Sequence, residues 1–240
     1  MKVGIIGTGI GAFHARGYKL CPDVEIKTIC DIDIARADRF ATEFDVPCVC
    51  QDFNELIEDP DIEAVSICTP NSLHAPLAIA AFEAGKHVIC EKPISVSAED
   101  AKNMVEAGKK SGKIFMMAFN NRFRGDTQLL KSHIENGELG DIYYAKTGWL
   151  RRKGIPNFGS WFTNKSTAGG GPLIDLGVHV LDLTLWLMGN PKPVYVMGSA
   201  YAMFGPQKAE ESGQVYDVED LATGLPYSWR RAGNPTPNAR

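Results

Sequence analysis

The chain has 240 residues, of which 44% are hydrophobic, and its formal net charge is −4 from 25 basic and 29 acidic side chains. This length and composition suffice for one large domain or two modest domains with their own cores. The charges are well mixed, so neither a nucleic acid nor a membrane surface is expected as a partner. No apolar run approaches the roughly 20 residues of a membrane-spanning helix, and the start of the chain is interpreted as a strand and turn rather than a signal peptide.

Six cysteines all lie within the first 90 residues. None forms a C-x-x-C pair, and the spacing of "CVC" at 48–50 suits neither a zinc site nor a thioredoxin-type site. We therefore expect reduced thiols packed as small hydrophobic residues, a cytoplasmic location and no metal.

The first half of the chain alternates between short apolar runs and helical patterns. Strand-like runs are "KVGIIG", "VEIKTICD", "AVSICTP", "HVICEKP" and "IFMMAFNNRF". The helix after the fourth run begins at Ser97, with Asp100 completing an approximate capping box. Strands that alternate with helices predict βαβ units, and nearly all-apolar strands predict burial on both faces. We predict a Rossmann-type doubly wound parallel sheet over residues 1–120.

The pattern changes after residue 121. "DTQLLKSHIENGELG" predicts a helix, "IYYAKTGWLRR" alternates like a strand, and a glycine-rich loop precedes a helix from Pro172 to Gly189. "PVYVMGSAYAMF" and "VEDLATGL" predict further strands. We predict an α+β substrate or oligomerisation domain over 121–225, with a mostly antiparallel open sheet. Residues 226–240 lack apolar periodicity and are interpreted as an aberrant or disordered tail.

A glycine loop joins the first strand to the first helix. "IIGTGIGAFHA" places Gly7, Gly9 and Ala12 in a G-x-G-x-x-A arrangement, which is typical of a dinucleotide-binding turn in this context. Gly7 permits the tight turn, Gly9 admits a pyrophosphate and a small residue at position 12 allows close helix–strand packing. Because Gly11 is a further glycine in this loop, the sequence leaves open which residue has which of these roles. A turn without a ligand is the alternative.

The end of the second strand bears on the choice of cofactor. Asp31 is placed to accept hydrogen bonds from a ribose and to repel a 2′-phosphate, with Asp33 as the rival residue. Arg36 could meet a phosphate, although such arginines usually face solvent. We predict NAD in preference to NADP.

Two further strand ends carry polar residues, and ligands of open α/β sheets bind outside the carboxyl ends of the strands. Glu91 and Lys92 precede Pro93, which stiffens the backbone beside them. The residues expected to bind the cofactor are Gly7, Thr8, Gly9, Ile10, Gly11, Ala12, Asp31, Thr69, Pro70, Asn71, His74, Glu91 and Lys92. The alternative role of Asn71 is an Asx turn before the helix. The alternative role of His74 is a contact with its own loop.

The helix "PLIDLGVHVLD" carries a second cluster. Asp175 and His179 are four residues apart, so they project from one helical face. A carboxylate can orient a histidine and raise its basicity, which suits a general base. The apolar flanking residues predict a largely buried helix, where polar groups need partners or a function.

These motifs resemble a family: the oxidoreductases related to glucose–fructose oxidoreductase, inositol 2-dehydrogenase and the rhizopine-catabolism protein MocA. "CTPNSLHAPLAIAAFEAGKHVICEKPIS" and "GGGPLIDLGVHVLDLTLWLMG" carry the resemblance most specifically, over roughly residues 1–225. It implies that Lys92 belongs to the E-K-P motif and that Asp175 and His179 form the D-x-x-x-H pair. It also implies a homo-oligomer for full-length members. Because members of the family continue further, we expect a truncated or frameshifted product.

We predict that Lys92, Asp175 and His179 are catalytic in a dehydrogenase acting on a hydroxyl-bearing carbon of a sugar, polyol or related compound. His179 would take the hydroxyl proton, and Lys92 would stabilise charge on the same oxygen. Arg122 and Trp161 are predicted to bind a carbohydrate-like substrate. One alternative is a glycosidase or epimerase that oxidises and re-reduces its substrate on bound NAD. The other is an inactive nucleotide-binding fragment.

Overall fold

A computed structural model describes residues 1–227. Six parallel strands form one sheet in the order β3-β2-β1-β4-β5-β6. Their bounds are β1 Lys2–Ile6, β2 Glu25–Cys30, β3 Cys48–Cys50, β4 Ala64–Ile67, β5 His87–Cys90 and β6 Phe115–Met117. The strand order reverses between β1 and β4, where a doubly wound sheet opens a crevice for a ligand. The predicted Rossmann-type parallel sheet is confirmed.

Helices cover both faces of this sheet. They are α1 Gly11–Lys19, α2 Ile34–Phe44, α3 Phe53–Glu58, α4 His74–Glu83 and α5 Ala98–Ser111. One core cluster joins β1 and β2 to α1 and α2, and the other joins the opposite face to α3, α4 and α5. Ser97 caps α5 as predicted, because its hydroxyl accepts the Asp100 amide at 3.1 Å and donates to the Asp100 carboxylate at 2.8 Å.

The second half has fewer regular elements. Its helices are α6 Gly125–Glu135, α7 Lys165–Ala168, α8 Val178–Leu187 and α9 Gly205–Ser212, and its strands are β7 Tyr195–Tyr201 and β8 Leu221–Tyr227. Short 3-10 turns occupy Asn71–Leu73, Asn120–Phe123 and Trp161–Thr163, and Leu173–Gly177 is a π-helical turn leading into α8. Of the predicted antiparallel open sheet, residues 1–227 contain the two-stranded pair β7–β8.

The structure contradicts one prediction for this half and leaves two others as predictions. The predicted strand "IYYAKTGWLRR", residues 142–152, is wrong, because this segment forms no ladder with any strand in the described part of the chain. Alternation supplies the side-chain pattern, but a strand also needs a neighbour for its backbone groups. The tail predicted for 226–240 begins inside β8 and, from residue 228, lies outside the described residues. The division at residue 120 stays a prediction.

Within residues 1–227 no helix combines the length and the apolar character needed to cross a bilayer.

Candidate active site

The glycine loop follows β1 and faces the crevice of the sheet. Gly7 has a φ of +97°, and a Cβ there would lie 2.4 Å from the carbonyl oxygen of Cys68. By contrast, a Cβ on Gly9 would meet nothing within 4 Å. The close packing of the helix on the strand depends mainly on Gly11. This residue is buried, and a Cβ there would lie 3.0 Å from the Ile5 side chain. Ala12 is only partly buried, so Gly11 rather than Ala12 makes the close helix–strand approach.

The Asp31 carboxylate lies beside this loop and already accepts four hydrogen bonds. Its Oδ2 accepts the amide and the hydroxyl of Thr8 at 2.9 and 2.6 Å, and its Oδ1 accepts the Asp33 amide at 3.0 Å and the Arg36 guanidinium at 2.7 Å. Burial alone raises the pKa of Asp31, but these hydrogen bonds outweigh burial and the net pKa is lowered. Asp31 therefore anchors the loop as an anion, and a ribose hydroxyl would have to share or replace one of its donors.

The segment after β4 is fixed by two buried side chains. The Asn71 amide donates to the carbonyl of Ala168 at 2.8 Å, a contact with α7 rather than an Asx turn. The ring nitrogens of His74 lie 2.7 Å from the Pro93 carbonyl and 3.0 Å from the Thr69 carbonyl. His74 is fully buried, which lowers its pKa. It therefore joins the segments that follow β4 and β5, and its contact with a cofactor stays a prediction.

A polar network reaches Glu91 through residues that were not assigned to the site from the sequence. The two ring nitrogens of His14 lie 3.1 Å from the Ser66 hydroxyl and 3.0 Å from the Glu91 carboxylate. The Tyr18 hydroxyl lies 2.6 Å from the same Ser66 oxygen, and the other Glu91 oxygen accepts the Lys92 amide at 3.2 Å. The one available signal was Ser66, a lone polar residue within the buried strand "AVSI".

Lys92 and Asp175 make a direct ion pair. The lysine Nζ donates to the Asp175 carboxylate at 2.7 Å and to the Asp175 main-chain carbonyl at 2.9 Å. Both side chains are largely shielded, with 16% and 19% exposure. Asp175 lies within the π-helical turn before α8, an irregularity that is frequent at functional sites.

His179 lies one turn further on, in the first turn of α8. Its pKa is lowered first by burial and then by the positive charge of Lys92, while the carboxylates of Glu91, Asp175 and Asp182 act in the opposite direction. The structure thus brings His179 into the electrostatic range of Lys92 and Asp175. Its buried Nδ1 has no hydrogen-bond partner among residues 1–227. The Trp149 ring, which was not assigned from the sequence, lies 6.3 Å from the imidazole between centroids.

The two predicted substrate-binding residues have other contacts. Arg122 makes a bidentate ion pair with Asp182, at 2.7 and 2.5 Å, and its guanidinium lies over the rings of Phe119 and Trp186. Trp161 packs on Phe162 with ring centroids 4.0 Å apart. Arg122 thus commits one edge of its guanidinium to Asp182, and no described contact joins Trp161 to the catalytic candidates.

The residues at this edge of the sheet fit a dinucleotide. Gly7 makes the turn, and the loop beside Gly9 is open to an approaching group. The buried Thr69 hydroxyl has no partner among the described residues, although buried hydroxyls normally have one. A parallel sheet with this strand order and a glycine loop at the reversal point defines a Rossmann-type nucleotide-binding protein.

Comparison with protein families agrees with that class. A family described as "Oxidoreductase family, NAD-binding Rossmann fold" matches residues 1–119, and the "GFO/IDH/MocA C-terminal domain" matches residues 127–225. The chain therefore belongs to the GFO/IDH/MocA family of oxidoreductases, as the sequence motifs predicted. Residues 1–119 thus form an NAD-binding Rossmann fold, which confirms the predicted cofactor.

Relatives in this family include sugar and polyol dehydrogenases. The D-glucoside 3-dehydrogenase of Escherichia coli is 37% identical over 231 residues, which are 93% of this chain and 66% of the relative. The myo-inositol 2-dehydrogenase of Thermotoga maritima is 32% identical over 227 residues, covering 94% of this chain and 64% of the relative. A structure of levoglucosan dehydrogenase with NADH and levoglucosan has a TM-score of 0.80 at 32% identity, covering 94% of this chain and 63% of that one. The chain thus spans slightly less than two thirds of each.

Proposed function

We propose that the protein is an NAD-dependent dehydrogenase that oxidises a hydroxyl-bearing carbon of a sugar or polyol. The observation that carries this proposal is the convergence of Lys92, Asp175 and His179. Bound NAD would supply the acceptor for the hydride. The glycine loop, the Asp31 carboxylate and the Thr69 hydroxyl are the groups proposed to hold it. The sugar and polyol dehydrogenases among the relatives support the substrate class.

The hydrogen-bond inventory of Lys92 suits it to stabilise charge on a substrate oxygen. An ammonium has three N–H donors. The contacts described above give two of them to Asp175, one to its carboxylate and one to its carbonyl. The third donor is the one we assign to the substrate hydroxyl, where it would offset the negative charge that develops as the proton leaves.

His179 is suited to accept that proton. Because burial and the Lys92 charge lower its pKa, the imidazole is neutral at neutral pH and has a free lone pair. Its Nδ1 is buried without a hydrogen-bond partner within the described chain, an exception among buried polar atoms that supports a functional role for this histidine. Asp175 holds the lysine beside the helical turn that carries this histidine, and its charge favours the protonated imidazole that forms.

Three further properties are part of the proposal. They are the division into domains at residue 120, a cytoplasmic location and a homo-oligomeric full-length protein. Their support is the change in sequence pattern after residue 121, the reduced cysteines and the family resemblance.

A panel of sugars and polyols tests the proposed activity, with NAD and NADP supplied separately. NADH absorbance and product analysis are both recorded, and the H179N variant is the control for adventitious reduction. We expect NADH to accumulate with an oxidised product, faster with NAD than with NADP. Product formation without net NADH would support the glycosidase or epimerase alternative, and no product from any compound would count against catalysis by this chain.

A further inference from the structure

One short acidic segment, Asp217–Asp220, contacts the starts of three helices. The Asp217 carboxylate accepts the amide of Lys165 at the start of α7. The Asp220 carboxylate accepts three amides at the start of α9, those of Met203, Phe204 and Gly205. The Glu219 carboxylate accepts amides at the helical turn that leads into α8. Carboxylates at helix starts satisfy amides that lack a partner within the helix.

Glu219 holds the backbone just before the π-helical turn. Its two carboxylate oxygens accept the amide of Gly171 at 2.8 Å and the amide of Leu173 at 3.2 Å. The approach is close, because a Cβ on Gly171 would lie 1.9 Å from the Glu219 carbonyl oxygen. This contact explains the glycine at position 171, for which the sequence alone gave no reason.

The anchored backbone leads directly to the ion pair of the proposed active site. Asp175 lies two residues after Leu173, and its own amide donates to the Gly171 carbonyl at 3.1 Å. Lys92 binds the main-chain carbonyl of Asp175 as well as its carboxylate. The position of the ammonium therefore depends on the backbone of this turn and not on side-chain rotation alone.

We propose that Glu219 is a positioning residue that fixes the turn so that Asp175 holds Lys92 in place. The inference rests on the proposed dehydrogenase function for its catalytic consequence. Glu219 itself acts only through the amides of Gly171 and Leu173. Its structural consequence, coupling between Glu219 and the Lys92–Asp175 pair, does not depend on the reaction.

The E219Q variant tests the catalytic consequence. Glutamine has the same shape but keeps only one acceptor oxygen, so one of the two amides loses its partner. We expect kcat to fall about tenfold, the effect of one lost charge-assisted hydrogen bond, with the dissociation constant of NAD unchanged. The matched control is D220N, which weakens the start of α9 but leaves Glu219 intact, and its kcat should stay as in the unsubstituted protein. An unchanged kcat in E219Q would overturn the proposal.

A double-mutant cycle on thermal unfolding tests the coupling without any substrate. K92M is introduced into the unsubstituted chain, into E219Q and into D220N. We expect K92M to lower the Tm less than half as much in E219Q as in the unsubstituted chain, and by the full amount in D220N. Equal losses in all three backgrounds would overturn the proposal even if no substrate is turned over. E219D, which retains the carboxylate, replaces E219Q in the cycle if the latter does not fold.

Discussion

The Nζ of Lys92 lies 2.7 Å from a carboxylate oxygen of Asp175, although 83 residues separate the two in the chain. Lys92 follows the fifth strand of the parallel sheet, and Asp175 belongs to the turn before α8. This contact joins the part of the chain that matches the NAD-binding family model to the part that matches the C-terminal family model. It is the structural basis for assigning catalysis to residues from both parts.

Replacing Lys92 by methionine should abolish most of the turnover while leaving cofactor binding intact. Methionine keeps much of the packing but removes the charge, and loss of one such oxyanion donor costs about 10²–10³-fold in kcat. Steady-state kinetics and a fluorescence titration with NAD measure the two effects. The control is K102M, because Lys102 is a surface residue paired with Glu106 on α5. Turnover of K92M close to that of K102M would remove Lys92 from the mechanism.

The titration of His179 should respond to the same substitution. The Lys92 charge is the second cause of the lowered pKa of His179, after burial. Removing that charge leaves the burial effect and the opposing carboxylates, so the pKa of His179 should rise in K92M. NMR titration of the imidazole measures the shift, with H179N used to assign the signal. K102M should leave the titration unchanged, and an unchanged pKa in K92M would place the two groups too far apart to interact.

Substitutions in the glycine loop should separate folding from cofactor binding. Alanine at Gly7 would need a left-handed backbone and would bring Cβ to 2.4 Å from a main-chain oxygen. The backbone strain alone costs about 1–3 kcal/mol of unfolding free energy. Alanine at Gly9 meets nothing within 4 Å, so G9A should unfold like the unsubstituted protein but bind NAD more weakly. Thermal unfolding and NAD titration of both variants check this. Normal NAD affinity in G9A would mean that the pyrophosphate does not approach this glycine.

Arg122 should contribute to stability rather than to substrate affinity. One edge of its guanidinium, Nε and Nη2, donates to the carboxylate of Asp182, whose side chain is only 12% exposed. R122M leaves that carboxylate without its partner and should destabilise the fold by about 1–3 kcal/mol, with little change in KM. R124M is the control, because Arg124 pairs with Asp126 at the exposed surface. A raised KM in R122M at unchanged stability would restore the predicted contact with substrate.

The sequence predicted the parallel sheet well because its signals are local. Short apolar strands, the glycine loop and the Ser97 cap each depend on residues within a few positions of one another. The segment 142–152 shows the limit of such signals. Its alternation is a property of the segment itself, whereas strand pairing depends on a neighbour that local sequence does not reveal.

The candidate site was predicted in part. The E-K-P and D-x-x-x-H motifs led to Lys92, Asp175 and His179, which the structure brings together. The roles of His14 and Glu219 depend on contacts across 77 and 48 residues, respectively, and no spacing rule predicts them. Likewise, Arg122 had the charge expected of a substrate ligand, but its partner Asp182 lies 60 residues away.

A crystal structure of the protein with NAD bound tests the central claim most directly. We predict that the Lys92 ammonium and the His179 imidazole both lie beside C4 of the nicotinamide, with Asp175 still bound to Lys92. A nicotinamide ring bound away from these two groups, or a complex in which they line separate cavities, would contradict it.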